Sequence, residues 1–362
     1  MPKRVVWVLG SGFSVGVGGP LLNQIFDEHR LKAVGQLHRV VAASQEEPRE
    51  EPSWSKIEPR LDEVRNVFLL GIDNSWTGWR NAEEYLELLD AAASGSDPRA
   101  LMLLLHYYGA QDFTPDMRSR IALIAKDARA YFAAVCAEYS ERAEDNERWL
   151  PYKRWAALLE PSDTVITFNY DQVVEKACEL ANRPIYHCVG GNAPGNGNLL
   201  KLHGSVDWVI SGSEASPIVQ THQEPFASIL NEREVAIGVP GPSKRFRASN
   251  LFQPQWDKAE RALREADSVV FVGYRFPETD SDAKYRLLGA LGGNTTPDLP
   301  IRLVLGPSVS DDVRRLDGLL QWTLRQHPSV TSRRKFEVIH EPMYAQDFLT
   351  VFWRDGLGWP AT

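Results

Sequence analysis

Short apolar runs alternate with helix-periodic segments at the start of the chain and throughout its second half. The runs predict buried strands at Val5–Leu9, Thr164–Phe168, Leu199–Leu202, Ser268–Val272, Ile301–Leu305 and Phe336–Ile339. The segments between them predict helices at Gln172–Leu180, Trp256–Ala266, Ser281–Leu291 and Asp311–Leu324. Because parallel strands need crossover helices, this order predicts an α/β fold: a Rossmann-like parallel sheet with helices on both faces.

The middle of the chain has helical periodicity without strands. Its longest helical patterns run over residues 82–93, 100–108 and 117–139. Before them, residues 44–59 are rich in Glu, Pro and Ser and predict an exposed loop or linker. We therefore expect a Rossmann-like domain formed by residues 1–60 and 161–362, interrupted by a helical insertion over residues 61–160.

Composition excludes several classes of protein. The formal net charge of −8 argues against broad nucleic-acid binding, so no direct nucleic-acid partner is expected. No signal peptide is visible and no apolar run approaches the roughly 20 residues of a membrane helix, which predicts a cytoplasmic protein without membrane contact. Cys136, Cys178 and Cys188 form no C-x-x-C pair, so we expect no metal site.

The first predicted strand ends in a glycine-rich segment, which is Gly10-Ser11-Gly12-Phe13-Ser14. Pro20 then fits the first turn of a helix over residues 21–41. A strand that ends in glycines and opens a helix lets backbone N–H groups approach a diphosphate. The spacing is G-x-G-x-x-x-G and not G-x-G-x-x-G, so a tight turn without a ligand is the alternative interpretation.

Two polar residues follow the second predicted strand, at the edge where open α/β sheets bind ligands. Asn169 offers an amide that can donate and accept hydrogen bonds, and Asp171 offers a carboxylate. The alternative is helix capping, because Asn169 is a good N-cap residue and Gln172 stands three residues further on.

A histidine and an aspartate follow the next two strands. His203, followed by Gly204 and Ser205, could act as a general base near neutral pH, although a lone histidine is more often structural. After the strand that ends at residue 272, Gly273 allows close backbone approach and Asp280 could cap a helix or hold a ribose hydroxyl. An ordinary strand–loop–helix joint is the alternative there.

Together these four segments resemble the bacterial sirtuin-like NAD hydrolases. The glycine segment with Gly19-Pro20 resembles the glycine loop of sirtuins. Three later segments resemble the motifs T-x-N-Y-D, K-L-H-G-S-x-x-W and G-Y-S-F-P-x-x-D, and they are Thr167–Asp171, Lys201–Trp208 and Gly273–Asp280. Pro240, Lys244 and Trp256 also stand at familiar places, and the resemblance spans about residues 5–307.

The resemblance implies that NAD is a substrate and that no metal takes part. It implies Asn169 and His203 as the catalytic pair, with Asp171 stabilising positive charge or holding its loop. The implied NAD contacts come from the glycine-containing segments, and they are Gly10, Ser11, Gly12, Phe13 and Ser14 at the diphosphate, Gly204 and Ser205 next to the histidine, and Gly273, Tyr274 and Asp280 at the adenosine half.

The implied activity is hydrolysis of the nicotinamide–ribose bond, which gives nicotinamide and ADP-ribose. Many such proteins deplete NAD as antiphage defence effectors. A homo-oligomer is therefore a further expectation, as is a defence partner such as a HerA-type DNA translocase or an Argonaute-type protein. Two alternatives stay open: an ADP-ribosyltransferase or deacylase, and a catalytically silent NAD-binding regulatory subunit.

Three departures from the family's pattern bear on these alternatives. Sirtuin deacylases have a four-cysteine zinc module, which a chain with 3 cysteines cannot build, and this weakens deacylation. Arg275 replaces the serine of the G-Y-S-F-P motif. Leu305-Gly306-Pro307 follows the late strand, where the family often has a ribose-binding asparagine, so both departures concern the adenosine contacts.

The predicted insertion is rich in tryptophan, a residue type favoured at interface hot spots. Its tryptophans are Trp76, Trp79, Trp149 and Trp155. We expect them either to take part in an assembly that regulates activity or to pack the insertion's own core.

Overall fold

The computed structural model describes residues 3–44, 53–72, 79–109, 114–141, 146–187, 198–213, 216–221, 235–238, 249–277, 280–297, 299–308, 311–326 and 336–352. Among these residues, no helix combines the length and the apolar character that crossing a membrane requires. Residues 45–52 of the predicted linker lie outside the described ranges, as do Trp76, Cys188, Pro240 and Lys244.

The strands of the described residues form two sheets. They are β1 (Val5–Leu9), β2 (Thr164–Thr167), β3 (Tyr186–His187), β4 (Asn198–Lys201), β5 (Gly204–Ser213), β6 (Ser216–Thr221), β7 (Val235–Ile237), β8 (Ser268–Val272), β9 (Leu299–Val304) and β10 (Phe336–Glu341). The larger sheet has the order β10–β9–β8–β1–β2–β4–β3, and its neighbouring strands are parallel. Every residue of β1, β2 and β8 is buried, which explains their continuous apolar runs.

Helices alternate with the parallel strands along the chain, so the predicted α/β, Rossmann-like fold is confirmed. They are α1 (Ser11–Ser14), α2 (Glu28–Ser44), α3 (Ser53–Ile72), α4 (Ala82–Ser94), α5 (Pro98–Tyr107), α6 (Pro115–Glu141), α7 (Leu150–Leu158), α8 (Val173–Leu180), α9 (Ser249–Glu265), α10 (Ser281–Gly292), α11 (Asp311–Gln326) and α12 (Ala345–Val351). The loop predicted over residues 44–59 is wrong in part, because residue 44 ends α2 and residues 53–59 belong to α3.

The start predicted for the helix over residues 21–41 is also wrong, although residues 28–41 are helical. α1 starts directly after β1, a 3-10 turn covers Val15–Val17, and α2 begins only at Glu28. Gly18 ends the 3-10 turn with φ +104°, a conformation that a residue with a Cβ rarely adopts. Gly19 then packs on Ser14, where an added Cβ would lie 2.9 Å from the Ser14 Cβ.

The chain divides into two compact units. The first contains residues 1–19, 142–204 and 250–362, and the second contains residues 20–141 and 205–249. This division differs from the predicted domain boundaries in two ways. Helix α2 and the three strands between residues 204 and 237 belong to the second unit, whereas α7 belongs to the first unit, which contains the parallel sheet.

In the first unit, α7 and α12 pack on aromatic residues of the sheet. The Trp7 ring lies 5.5 Å from the Trp155 ring and 4.9 Å from the Phe352 ring, in both cases edge-on. Trp149 and Trp155 are 2% and 0% exposed. These two tryptophans therefore pack the core of the unit that contains the parallel sheet, and not a core of the predicted insertion itself.

The second unit contains helices α2–α6 and the smaller sheet. That sheet has the order β6–β5–β7, and its segments, in which Gly, Ser and Pro interrupt the apolar residues, were not predicted as strands. Trp79 is 3% exposed and its indole donates a hydrogen bond to the Phe68 carbonyl at 2.8 Å. Trp79 is thus also a core residue.

Candidate functional site

The strands around β1 end at one level of the parallel sheet. Leu9 pairs with Thr167 of β2 on one side and with Val272 of β8 on the other. Thr167 in turn pairs with Lys201 of β4. Since these strands are parallel, the loops that follow them leave the sheet at the same carboxyl edge, where open α/β sheets bind ligands.

β1 is the strand at which the chain changes direction across the sheet. From β1 the chain adds β2, β3 and β4 on one side, and it then crosses over to add β8, β9 and β10 on the other. Such a switch point leaves a crevice between the loops that follow the two adjacent strands, which here are β1 and β8. The loops after β1, β2, β4 and β8 contain the four segments predicted to form the site.

The glycine segment after β1 touches the loop after β8 through backbone atoms. Gly10 N donates to the Val272 carbonyl at 3.0 Å and so extends the sheet ladder. A Cβ on Gly10 would lie 2.5 Å from Gly273 O, and one on Gly12 would lie 2.8 Å from Gly273 Cα. Gly273 has φ +66°. The close approach of the two loops therefore requires glycine at these positions whether or not a ligand binds.

Asn169 is held by the glycine segment. Its Nδ2 donates to Gly10 O and to Ser14 Oγ, both at 3.0 Å, and Ser14 Oγ donates to Asp171 Oδ2 at 2.8 Å. Asn169, Ser14 and Asp171 are 9%, 2% and 6% exposed. Because both N–H groups of Nδ2 are used, Asn169 Oδ1 is left as the acceptor that can face a ligand.

Asp171 is part of the support of this loop. Its Oδ1 accepts the Val173 N–H at 2.9 Å, so each of its carboxylate oxygens has a protein donor. The Asp171 carbonyl accepts a hydrogen bond from the fully buried Lys201 Nζ, which also pairs with Glu175 Oε1 at 2.8 Å. This geometry matches the loop-holding role expected of Asp171 more closely than direct stabilisation of positive charge.

The capping role considered for Asn169 is not what the structure shows. The N-cap residue of α8 is Gln172, whose side chain makes no capping hydrogen bond. Asp171 instead bonds the start of the helix through Val173 N, while the Asn169 amide bonds Gly10 and Ser14. The position of Asn169 is therefore explained by the glycine segment and not by the helix.

His203 leaves β4 at the same level as Asn169 leaves β2. Each lies two residues beyond the registered pair Thr167–Lys201. His203 is 5% exposed, and both of its ring nitrogens are buried without a hydrogen bond among the described residues. Its Nε2 lies 3.2 Å from Asp280 Oδ2, within ion-pair distance but outside hydrogen-bond geometry. Buried polar atoms without partners are rare in proteins and suggest a site that takes a ligand.

Aromatic rings enclose His203. The Phe168 ring lies 5.0 Å from the imidazole, edge to face, and the Tyr170 ring lies 6.0 Å from it. Tyr274 stacks on Phe168 at 3.9 Å with parallel rings, and its hydroxyl donates to Asp280 Oδ2 at 3.1 Å. Apolar surfaces of this kind lower the local dielectric, which strengthens electrostatic interactions inside the site.

The Phe13 side chain belongs to the core rather than to a binding surface. Its ring is 0% exposed and lies 5.2 Å from the rings of both Tyr152 and Trp155. Tyr152 fixes the same loop by donating to the Phe13 carbonyl at 2.7 Å. Burial raises the pKa of the Tyr152 hydroxyl above its usual value, and the negative charge of Asp171 raises it further, so the hydroxyl stays a donor. Phe13 can contact a ligand only through its backbone.

The remaining predicted site residues lie at different depths. Ser11 and Gly12 are half-buried, so they are the accessible part of the glycine segment. Tyr274 is only 5% exposed, and Gly204 has φ +84° directly after His203. Ser205 belongs to the second unit, where its hydroxyl donates to Asp207.

Arg275 and Leu305, which mark two departures from the family's pattern, contact each other. Arg275 Nη2 donates to the Leu305 carbonyl at 3.2 Å. Arg315 contacts the same loop, because it donates to the carbonyls of Arg275 at 2.7 Å and Phe276 at 3.2 Å. Arg275 thus links the loop after β8 to the residue that follows β9.

Sequence reasoning missed two residues that support the site, Lys201 and Tyr152. Lys201 was visible within its motif, but a lysine in a sequence gives no sign that it will be fully buried. Tyr152 lies 139 residues from its partner Phe13, so only the tertiary structure reveals the bond. Among the described residues, no group of three or more His, Cys, Asp or Glu side chains is arranged to hold a metal ion.

Comparison with known proteins gives one family match. The family described as SIR2-like domain matches residues 163–299 of the chain. This stretch includes Asn169, His203 and Asp280 but not the glycine segment, and it is shorter than the resemblance predicted from the sequence. None of the curated proteins compared matches the chain.

Several solved structures of Sir2 homologues are similar to the chain at low identity. One is a triple mutant in complex with 2'-O-acetyl ADP ribose (13% identity, 91% of this chain and 95% of that chain, TM-score 0.37). Another is a serine-to-alanine mutant with ADP ribose (13%, 91% and 94%, TM-score 0.37). A third is a Sir2 homologue–NAD complex (13%, 89% and 90%, TM-score 0.36).

Proposed function

We propose that this chain hydrolyses NAD at the nicotinamide–ribose bond, releasing nicotinamide and ADP-ribose. The observation that carries the proposal is His203, whose two buried ring nitrogens have no hydrogen bond among the described residues. It lies at the same level of the sheet as Asn169, and its Nε2 lies 3.2 Å from Asp280 Oδ2, which follows β8 at the switch point where such folds bind nucleotides. The SIR2-like domain match over both residues supports the same function.

The chemistry needs little acid catalysis, because nicotinamide leaves as a neutral molecule. The bond between the ribose C1' and the ring nitrogen breaks, and its electron pair neutralises the positive charge of the nicotinamide ring. The ribose then carries positive charge and is attacked by water, whose proton passes to His203. A positioned general base of this kind contributes about 10²–10⁴-fold to rate.

Asn169 has the orientation that positioning the substrate requires. With its N–H groups held by Gly10 O and Ser14 Oγ, its Oδ1 accepts a hydrogen bond from a ribose hydroxyl or from the attacking water. Asp171 acts through Ser14, by holding the hydroxyl that holds Asn169. We therefore assign Asn169 and His203 as catalytic residues and Asp171 as a positioning residue.

The nucleotide part of NAD is assigned to the crevice between the loops after β1 and β8. The accessible backbone of Ser11 and Gly12 faces the diphosphate, and Gly273 borders the adenosine half. Gly204 lies next to the nicotinamide end because it directly follows His203. The hydrogen bond from Arg275 Nη2 to the Leu305 carbonyl lies where the resemblance implied polar contacts with the ribose. Recognition of adenosine therefore depends more on backbone contacts than on side-chain contacts.

Incubation of the purified protein with NAD tests the proposal directly, with free nicotinamide and ADP-ribose as the measured products. His203→Ala should lower turnover about 10²–10⁴-fold without unfolding the protein. His340→Ala is the matched control, because His340 also lies near a carboxylate, with Asp317 Oδ1 3.9 Å from its Nε2, and is outside the site. Wild-type turnover in the His203 variant would refute the assignment. If methanol or a peptide is added as an acceptor, formation of an ADP-ribosylated acceptor would favour ADP-ribosyl transfer. NAD binding without any product would favour a regulatory subunit.

We further propose that the protein acts in the cytoplasm as an NAD-depleting antiphage effector whose activity depends on assembly. An unregulated hydrolase would exhaust the NAD of its own cell, so a resting state must be silent. The buried Trp79, Trp149 and Trp155 exclude those side chains as a docking surface. Mass photometry with cleavage assays at several protein concentrations tests the idea, and full activity of a strict monomer at nanomolar concentration would contradict it.

A further inference from the structure

We infer that Asp280 is the positioning residue for His203: its carboxylate holds the imidazole in the Nε2–H tautomer, so that Nδ1 is the nitrogen that accepts the proton. The inference rests on the proposed function only for the consequence to catalysis. The tautomer itself follows from the structure of the site and can be measured without substrate.

The carboxylate of Asp280 lies next to one ring nitrogen only. Asp280 Oδ2 is 3.2 Å from His203 Nε2, and both side chains are buried, at 0% and 5% exposure. The Nδ1 atom has no hydrogen bond among the described residues. A neutral imidazole carries one N–H and one lone pair, and the partner of one nitrogen decides which nitrogen keeps the proton.

Electrostatics then selects the tautomer. If Nε2 carried the lone pair, it would face a carboxylate oxygen at 3.2 Å in a low-dielectric environment, which is repulsive. If Nε2 carries the proton, the same distance brings a positive N–H dipole against a negative oxygen. The carboxylate also stabilises the imidazolium that forms when Nδ1 takes a proton from water, as a buried carboxylate does for other catalytic histidines.

Asp280 is itself held firmly enough to orient its neighbour. Its Oδ1 accepts the Ala283 N–H at 3.4 Å and so caps α10, while its Oδ2 accepts the Tyr274 hydroxyl at 3.1 Å. Tyr274 is fixed in turn by stacking on Phe168. The Tyr274 hydroxyl and His203 Nε2 both approach Oδ2, and a carboxylate oxygen can accept more than one hydrogen bond.

Histidine nitrogen NMR tests the tautomer. Protein labelled with ¹⁵N-histidine is recorded at a pH where the imidazoles are neutral, with His203 assigned by its loss in His203→Ala. We expect the Nε2–H form in the wild type and in Tyr274→Phe, which removes only the competing hydroxyl. Asp280→Asn keeps the side-chain volume and the Oδ1 acceptor of the Ala283 N–H but removes the negative charge. The fraction of His203 in the Nε2–H tautomer should therefore fall. An Nδ1–H wild type, or an Asp280→Asn variant with an unchanged tautomer, would overturn the inference.

A kinetic arm connects the tautomer to turnover. Asp280→Asn should lower kcat about 10²-fold with little change in KM, because the base is misoriented while NAD binding is retained. Asp282→Asn, in the exposed first turn of the same helix, is the matched control and should keep wild-type kcat. If the wild type does not cleave NAD but the tautomer shifts in Asp280→Asn, the proposed function fails and the pairing of Asp280 with His203 stands. If cleavage persists unchanged in Asp280→Asn, the positioning role fails and the proposed function stands.

Discussion

Gly273 meets Gly12 backbone to backbone, so closely that a Cβ on Gly273 would lie 2.5 Å from the Gly12 Cα. The contact joins the loops after β1 and β8, the two strands at the switch point of the sheet. It gives the glycines of both segments a structural cause that is independent of any ligand.

Gly12→Ala is therefore expected to destabilise the protein, because its Cβ would lie 2.8 Å from Gly273 Cα and the two loops would have to separate. Overpacking of this kind costs about 1–3 kcal/mol of unfolding free energy, measured by chemical denaturation. The control is Gly289→Ala, at an exposed helical position where an added Cβ meets nothing within 4 Å. It should stabilise the protein by about 0.5–1 kcal/mol. Equal effects of the two substitutions would contradict the loop contact.

Ser14→Ala should separate positioning from folding. The substitution leaves an Asn169 N–H and Asp171 Oδ2 without their shared partner, which costs about 1–3 kcal/mol of unfolding free energy. It should also lower kcat for NAD cleavage, since Asn169 keeps only its bond to Gly10. The control Ser119→Ala removes an exposed hydroxyl that bonds a helix carbonyl at 3.1 Å, and should change stability by less than about 0.5 kcal/mol. A fully active, fully stable Ser14→Ala protein would show that the hydrogen-bond chain has no role.

Glu175→Ala should leave the buried Lys201 ammonium without its counter-charge. Removing one partner of a buried ion pair costs about 3–5 kcal/mol, and the double variant Glu175→Ala/Lys201→Met should be less destabilised than the single variant. The matched control on the same helix is Glu179→Ala, which breaks the exposed pair with Lys176 at 3.0 Å and should cost less than about 1 kcal/mol. Denaturant titration of the wild type and the three variants measures the free energies of unfolding. Similar losses of unfolding free energy in Glu175→Ala and Glu179→Ala would refute the prediction.

Cys178 should resist alkylation in the folded protein. Burial raises the pKa of its thiol to about 12, with a further contribution from the charge of Glu175, so little reactive thiolate is present at pH 8. Iodoacetamide labelling followed by mass spectrometry should show a protected Cys178 that reacts once denaturant is added. Because the folded pKa is raised, this thiol stabilises the fold below pH about 9, and the contribution is lost as pH rises towards 12. Rapid native labelling would contradict the assigned burial.

The sequence was a good guide to the parallel sheet because fully buried strands read as continuous apolar runs. Val5–Leu9 and Ser268–Val272 were predicted with the bounds that the structure has. The edge strand β3 was missed because it has only 2 residues, and the smaller sheet was missed because Gly, Ser and Pro interrupt the apolar pattern of β5 and β6. The helix start at Pro20 was wrong because Gly18 ends a 3-10 turn and Gly19 packs on Ser14, so neither glycine leads into a helix.

What the sequence determined by itself was local: the positions of the strands, and the residue types placed directly after them. Parallel pairing then brings Asn169 and His203 to one edge, because loops that follow registered parallel strands must leave the sheet together. What only the tertiary structure decided is the set of partners over long separations. Asn169 bonds Gly10 across a sequence separation of 159 residues, and Asp280 approaches His203 across a separation of 77 residues that no local pattern relates. Which residues become partners in this way depends on packing between segments that are far apart in the chain. The local propensity of a segment for helix or strand carries no information about that packing.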